Sequence, residues 1–109
     1  MIQAVSPQQA QDLISRGEVE VIDVREPSEW TGGHLPTARL VPLEELRANP
    51  QAVLGKDGVM FVCAAGVRSQ TAARIAASHG LTKIYNLAGG TRGWIRAGFE
   101  LEDVLSVAV

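Results

Sequence analysis

The segment Val59-Met60-Phe61-Val62-Cys63 constrains this chain most. Five apolar residues in unbroken succession lack the alternation of a half-exposed strand, and they fit a strand buried on both faces. Strands of that kind belong to parallel sheets covered by helices on either side. The turn Lys56-Asp57-Gly58 precedes the segment, and the loop Ala64-Ala65-Gly66-Val67 follows it. Arg68 or Ser69 then opens a helix that runs through His79 and stops at Gly80. Its inner positions are predicted to be Ala72, Ala73, Ala76 and Ala77, small enough to let the helix sit close on a sheet.

The remaining segments repeat this alternation. Ser6-Pro7 reads as a helix N-cap and first helical residue, with Ala10, Leu13 and Ile14 on one face and Gly17 as the stop. Glu18 to Val24 is a β-branched strand, and Arg25 to Trp30 turns into a short helix. Gly32 to Pro36 is loop, and Arg39-Leu40-Val41 is a short strand closed by Pro42. Leu43 to Arg47 and Pro50 to Leu54 are short helical pieces. Lys83 to Asn86 is a strand, and a last short helix after Gly89-Gly90 holds Trp94 and Ile95. The predicted order therefore begins with a helix and alternates strand with helix to the end. It implies an α/β fold with a mostly parallel central sheet and helices on both faces. A length of 109 residues without repeats or linkers predicts one domain over residues 1–109. Leu101 to Val109 is apolar without a clear period, and is expected to pack back on the domain or against a partner.

Composition removes several function classes. With 46% apolar and 20% charged residues, the chain is globular and not disordered. Ten Lys and Arg against 12 Asp and Glu argue against a nucleic-acid surface. The longest apolar run, Gly58 to Val67, is too short for a membrane span. Met1-Ile2-Gln3-Ala4 shows no basic stretch before an apolar one, so no secretory leader is expected and the cytoplasm is the expected compartment. A single cysteine excludes an internal disulfide and a cysteine-based metal site.

That cysteine ends the apolar strand, where open α/β sheets bind their ligands. A short loop between strand and helix can curl so that its N–H groups point inward and form an anion nest. The helix N-terminus adds partial positive charge. Gly66 permits an unusual backbone angle within the curl. Cys63 at the floor of such a cup is expected to be ionised more readily than a free thiol, without a histidine base. Two readings of Cys63 stand on these features alone: a buried structural thiol and a reactive one.

The run Cys63-Ala64-Ala65-Gly66-Val67-Arg68-Ser69 resembles the active-site loop of single-domain rhodaneses. Two further segments agree with that family in order and spacing. One is Asp23-Val24-Arg25-Glu26-Pro27-Ser28-Glu29-Trp30 with Gly33-His34-Leu35-Pro36; the other is Leu87-Ala88-Gly89-Gly90 with Trp94. The resemblance spans about Ser6 to Leu101. It implies a rhodanese-like fold and thiosulfate-type sulfurtransferase chemistry, in which Cys63 is the catalytic nucleophile and becomes a persulfide. Ala64, Ala65, Gly66, Val67 and Arg68 would form the cup that binds the sulfur. The implied partners are a small sulfur-containing donor and a cyanide or thiol acceptor, with a protein donor or acceptor also compatible. No cofactor or metal is implied. Relatives that act on phosphate or arsenate carry one more residue between Cys and Arg, whereas Cys63 to Arg68 counts six residues.

Two departures from the family stand out. Ala64 and Ala65 are apolar where many thiosulfate-using members carry a basic residue, which favours a persulfide donor over dianionic thiosulfate. Thr37 stands where the family often has Gly. Around the loop, Asp23 reads as a structural hydrogen-bond partner, because a carboxylate beside a thiolate would raise its pKa. Arg25 is expected to pair with Glu26, Glu29 or another nearby acid, His34 to hold its turn through backbone, and Trp30 and Trp94 to pack in the core or its rim. Arg68 has two readings, contact with substrate or bracing of the loop through a carboxylate, and the second is favoured. Arg92 is a candidate for the pocket mouth. The competing function is a persulfide carrier or binding module that works with a partner enzyme.

Overall fold

The computed structural model describes residues 2–103. Five strands form one sheet: β1 (Ile2–Val5), β2 (Glu20–Asp23), β3 (Arg39–Leu40), β4 (Val59–Val62) and β5 (Ile84–Leu87). Their spatial order is β1-β5-β4-β2-β3 and every pairing is parallel. Among the described residues five helices connect them, α1 (Pro7–Ser15), α2 (Pro27–Trp30), α3 (Leu43–Ala48), α4 (Pro50–Val53) and α5 (Arg68–Ser78), and α6 (Gly90–Arg96) follows the last strand. The expected alternation holds, with one addition. β1 precedes the first helix and pairs with β5 in the register Ile2 to Ile84. Its short, mostly exposed run Ile2-Gln3-Ala4-Val5 carries no alternation signal, so only the distant partner strand reveals it.

β4 lies at the centre of the sheet and is buried throughout. Its side chains feed two separate cores, as strand geometry requires. Val59, Phe61 and Cys63 face one layer with Leu46, Val53, Ala72, Ala73 and Ala76 from α3, α4 and α5. Met60 and Val62 face the other with Ala10 from α1 and Trp94 from α6. Three of the four alanines expected to lie inward on α5 are buried, whereas Ala77 is exposed. Ser69, one turn before Ala72 and Ala73, takes the remaining inward place at the N-terminal end.

Local chemistry fixes the ends of these elements. The Ser6 hydroxyl accepts from the Gln9 N–H at 3.2 Å, and the Gln9 side chain accepts from the Ser6 N–H at 2.9 Å. This reciprocal cap contributes about 1 kcal/mol to α1. At the C-terminal side, Leu101 packs on the second core and Glu102 forms an antiparallel bridge with His34. Residues 104–109 of the predicted apolar tail lie outside the described residues.

Candidate active site

β4 ends at Val62, and the chain curls through Cys63 to Val67 before α5 begins at Arg68. Gly66 has φ +95°, a conformation that L side chains resist, and this lets the loop close on itself. The closure brings donors onto the Cys63 sulfur. The Gly66 N–H donates to Sγ at 3.1 Å and the Ser69 N–H at 3.4 Å. The Ser69 hydroxyl lies 3.4 Å from Sγ. Cys63 is 1% exposed, so its sulfur sits at the base of this group of donors.

Two opposing effects act on the thiol. Burial raises its pKa by disfavouring the anion. The neighbouring Ser69 hydroxyl and the backbone N–H groups of Ser69, Gly66 and Ala65 lower it, and they prevail. The net direction is downward from the ordinary value of 9.0. No imidazole takes part. His34 stacks on Trp30 with ring centroids 3.8 Å apart and its Nδ1 lies 3.0 Å from the Leu35 carbonyl. His79 is exposed at the far end of α5.

A second layer of contacts holds the loop. The Arg68 guanidinium donates to both Glu29 carboxylate oxygens, at 2.7 and 2.9 Å. It therefore braces the loop against α2. The N–H groups of Thr91 and Arg92, in the first turn of α6, donate to the carbonyls of Cys63 and Ala64 at 2.8 and 3.1 Å. Gly90 makes this approach possible. A Cβ there would lie 2.5 Å from the Ala64 carbonyl oxygen and closer still to that of Cys63. Behind the sulfur, the Ser69 hydroxyl donates to Oδ1 of Asn86 on β5.

Asp23 and Arg25 form a separate buried unit at the end of β2. The Asp23 carboxylate accepts from Nε and Nη2 of Arg25, at 3.0 and 2.8 Å. Arg25 reaches on to the Gly33 carbonyl at 2.8 Å and the Glu29 carbonyl at 3.3 Å. It thereby ties α2 and the turn after it to the sheet. The Asp23 carboxylate is thus paired with the Arg25 guanidinium.

Of the residues singled out in the sequence, the structure gathers Cys63, Ala65 and Gly66 around one sulfur atom. Ala64 enters through its carbonyl, and Val67 projects outward at 69% exposure. Arg92 is exposed, and its backbone rather than its guanidinium meets the loop. Trp94 is buried in the core and Trp30 is half-buried against His34. Sequence reasoning gave no role to Asn86, took Ser69 only as part of the cysteine loop and a possible helix start, named Glu29 only as a partner for Arg25, and read Gly90 only as the turn before the last helix. Ser69 carried one usable signal, a hydroxyl at the start of a helix immediately after the cysteine loop. The others approach from 17 to 39 positions away in the chain.

Comparison with known proteins agrees with this architecture. The family described as Rhodanese-like domain matches residues 6–97. The uncharacterized protein YqhL of Bacillus subtilis is 40% identical over 77 residues, covering 71% of this chain and 61% of that relative. The chain thus spans less than two thirds of YqhL. The thiosulfate sulfurtransferase GlpE of Ectopseudomonas mendocina is 36% identical over 98 residues, covering 90% of this chain and 88% of its own. The crystal structure of a rhodanese-related protein from Thermoplasma volcanium superposes with a TM-score of 0.81 at 28% identity, covering 92% of this chain and 97% of the other.

Proposed function

Because this chain belongs to the rhodanese-like domain family, we propose that it is a sulfurtransferase whose Cys63 carries the transferred sulfur as a persulfide. The observation that carries this reading is the convergence of two backbone N–H groups, from Gly66 and Ser69, on one sulfur atom. Donors fixed in place before reaction stabilise charge on that sulfur without reorganising. In the first step the Cys63 thiolate attacks the outer sulfur of the donor. A bond forms from Sγ to that sulfur, and the bond to the donor's remainder breaks, with its electron pair leaving as sulfite or a thiolate. In the second step cyanide or an acceptor thiolate attacks the terminal sulfur. The Sγ–S bond breaks and its electron pair returns to Sγ, regenerating the thiolate.

The surroundings of the loop favour a particular donor class. Ala64 and Ala65 bring no charge, and the Arg68 guanidinium is engaged by Glu29. The apolar Val67 side chain is 69% exposed at the outer surface of the loop. A dianion such as thiosulfate gains little attraction from such a rim, whereas a persulfide on a small thiol or a protein needs none. A persulfide is therefore the better donor.

Intact mass spectrometry after exposure to thiosulfate, a small persulfide and a protein persulfide tests the reading. The expected result is a gain of one sulfur atom that dithiothreitol reverses and that Cys63→Ser lacks. Sulfur uptake or turnover retained by Cys63→Ser overturns it. Turnover with cyanide identifies an enzyme, and loading without turnover identifies a persulfide carrier.

A further inference from the structure

Asn86 is an unusual occupant of its place. It lies on β5 between two strands of the sheet, with Ile84 and Leu87 of the same strand fully buried. Its own exposure is 5%. A buried carboxamide is unfavourable unless hydrogen-bonded, and an apolar residue would serve the core better. The bond it makes leads directly to the candidate nucleophile. Asn86 Oδ1 accepts from the Ser69 hydroxyl, and that hydroxyl oxygen lies 3.4 Å from Cys63 Sγ.

The Ser69 hydroxyl has one proton and two neighbours that can take it. While Oδ1 holds that proton, the oxygen offers the sulfur only a lone pair. This arrangement suits a thiol, whose S–H then donates to Ser69 Oγ. A thiolate or a persulfide anion needs the reverse, with the hydroxyl proton turned to sulfur. That turn would leave Oδ1 facing an oxygen lone pair, unless the carboxamide rotates and presents Nδ2. Asn86 borders an open surface cavity of about 230 Å³ lined also by Ile2, Ala4, Gln70 and Arg74.

We propose that Asn86 is a positioning residue for Cys63, its carboxamide directing the single hydroxyl proton of Ser69 according to the charge on sulfur. In the thiol state Oδ1 accepts from Ser69 and Ser69 accepts from S–H. In the anionic state the thiol proton has gone to solvent, Ser69 donates to sulfur, and Nδ2 donates to Ser69. The second chain ends on an anion, so each bond polarises the next and the chain gains strength over its neutral counterpart. The inference rests on the anionic Cys63 of the proposed function, but its test reads ionisation and not sulfur transfer. The other charged groups around the site are Arg68 with Glu29, Asp23 with Arg25, and Arg74 at the cavity. All remain in the variants used.

The experiment is the pH profile of iodoacetamide alkylation, which reports one thiol because the chain has one cysteine. Wild type, Asn86→Leu, Ser69→Ala and the double variant are compared. Asn86→Leu is expected to move the profile to higher pH and slow alkylation near neutrality about two- to threefold, because Asn86 bonds to Ser69 in both states and only the extra strength of the chain that ends on the anion is lost. In the Ser69→Ala background the same substitution is expected to change nothing. Asn86→Asp, close in shape, supplies the measurement if the leucine variant fails to fold. Its carboxylate can only accept, so the shift is larger, and part of it disappears with Ser69→Ala. An unchanged profile in Asn86→Leu overturns the proposal. So does a shift of equal size with and without the Ser69 hydroxyl, since Asn86 would then act without the relay.

Discussion

Arg68 and Glu29 meet in a two-point ion pair, 2.7 and 2.9 Å, across 39 positions of sequence. The pair joins the first residue of α5 to α2, and so fixes one end of the cysteine loop to the helix that follows β2. Its effect on Glu29 is large. The hydrogen bonds from Arg68 hold the carboxyl at about 2, below its ordinary 4.5, against the opposing effect of partial burial. The Glu26 N–H and the charges of Arg68 and Arg25 add to the lowering.

A carboxyl with a depressed folded pKa stabilises the fold above its unfolded pKa and loses that contribution as pH falls through the folded value. The window here runs from 4.5 down to about 2. The side chains of Arg68 and Glu29 are 37% and 32% exposed, so solvent screening limits the contribution to about 1 kcal/mol. Glu29→Gln is therefore expected to be less stable by about 0.5–1 kcal/mol near neutrality. The difference should close as pH approaches about 2, as urea unfolding at a series of pH values will read. A constant difference across that range would mean that the ion pair is not its source.

Cys63 gives a pH dependence in a different window. Burial raises its pKa, the Ser69 hydroxyl and the backbone N–H groups of Ser69, Gly66 and Ala65 lower it, and the net shift is downward from 9.0. Its thiolate therefore stabilises the fold fully above the ordinary thiol value, and the contribution falls away as pH drops through the lowered value. Relative to Cys63→Ser, wild type is expected to gain stability as pH rises toward 9.0. Denaturant unfolding under reducing conditions measures the gain. A stability difference that does not grow with pH contradicts the assigned thiolate environment.

The comparison of sequence with structure separates local information from non-local. The apolar run ending in Cys63 announced a central parallel strand because burial on both faces suppresses alternation, and β4 is that strand. Gly66 was legible because a tight loop before a helix needs a positive φ, and it has one. β1 was not legible, since an edge strand of four residues takes its identity from hydrogen bonds to β5, about 80 positions away. Asp23 was expected to make structural hydrogen bonds and Arg25 to pair with a nearby acid, and the two meet each other, but nothing local indicated that Arg25 would reach on to Gly33. Thr37 shows the limit from the other side. It adopts φ +64°, the only positive φ at a non-glycine residue among those described, a conformation that a β-branched residue resists.

Gly90 offers a test of how the loop is held. Its Cα lies against the Cys63 and Ala64 carbonyls, leaving no room for a Cβ, and its φ is +60°. Gly90→Ala must push α6 away from the loop and lengthen the hydrogen bonds from Thr91 and Arg92. The expected destabilisation is about 1–3 kcal/mol from overpacking. Loss of sulfur transfer should exceed what the unfolded fraction explains, because the loop carbonyls lose their anchors. Gly66→Val should act similarly, since a Cβ at Gly66 would lie 3.2 Å from the Gly89 nitrogen and its φ is +95°. Melting curves and sulfur-transfer assays on the same samples separate the two effects. Wild-type rates in both variants would show that the loop does not depend on this close packing.

Loop length gives the last test, and it addresses reaction class. Cys63 to Arg68 spans six residues, and the closed loop places the Gly66 and Ser69 N–H groups 3.1 and 3.4 Å from Sγ. A loop of six residues whose donors already touch the sulfur is expected to accept one more sulfur atom, but not a phosphoryl group with three oxygens. Catalysis by fixed donors depends steeply on position, and a misfit of about 1 Å costs on the order of 100-fold. The unaltered protein is therefore expected to transfer sulfane sulfur and to hydrolyse aryl phosphates negligibly. Inserting one glycine between Val67 and Arg68 should widen the loop, weaken sulfur transfer by about 100-fold, and bring any phosphate hydrolysis above background. Parallel assays with a persulfide donor and an aryl phosphate decide the matter. Strong phosphatase activity without sulfur transfer in the unaltered chain would overturn the reaction class while leaving the fold untouched, since β4, α5 and the Arg68–Glu29 pair support a loop of either chemistry.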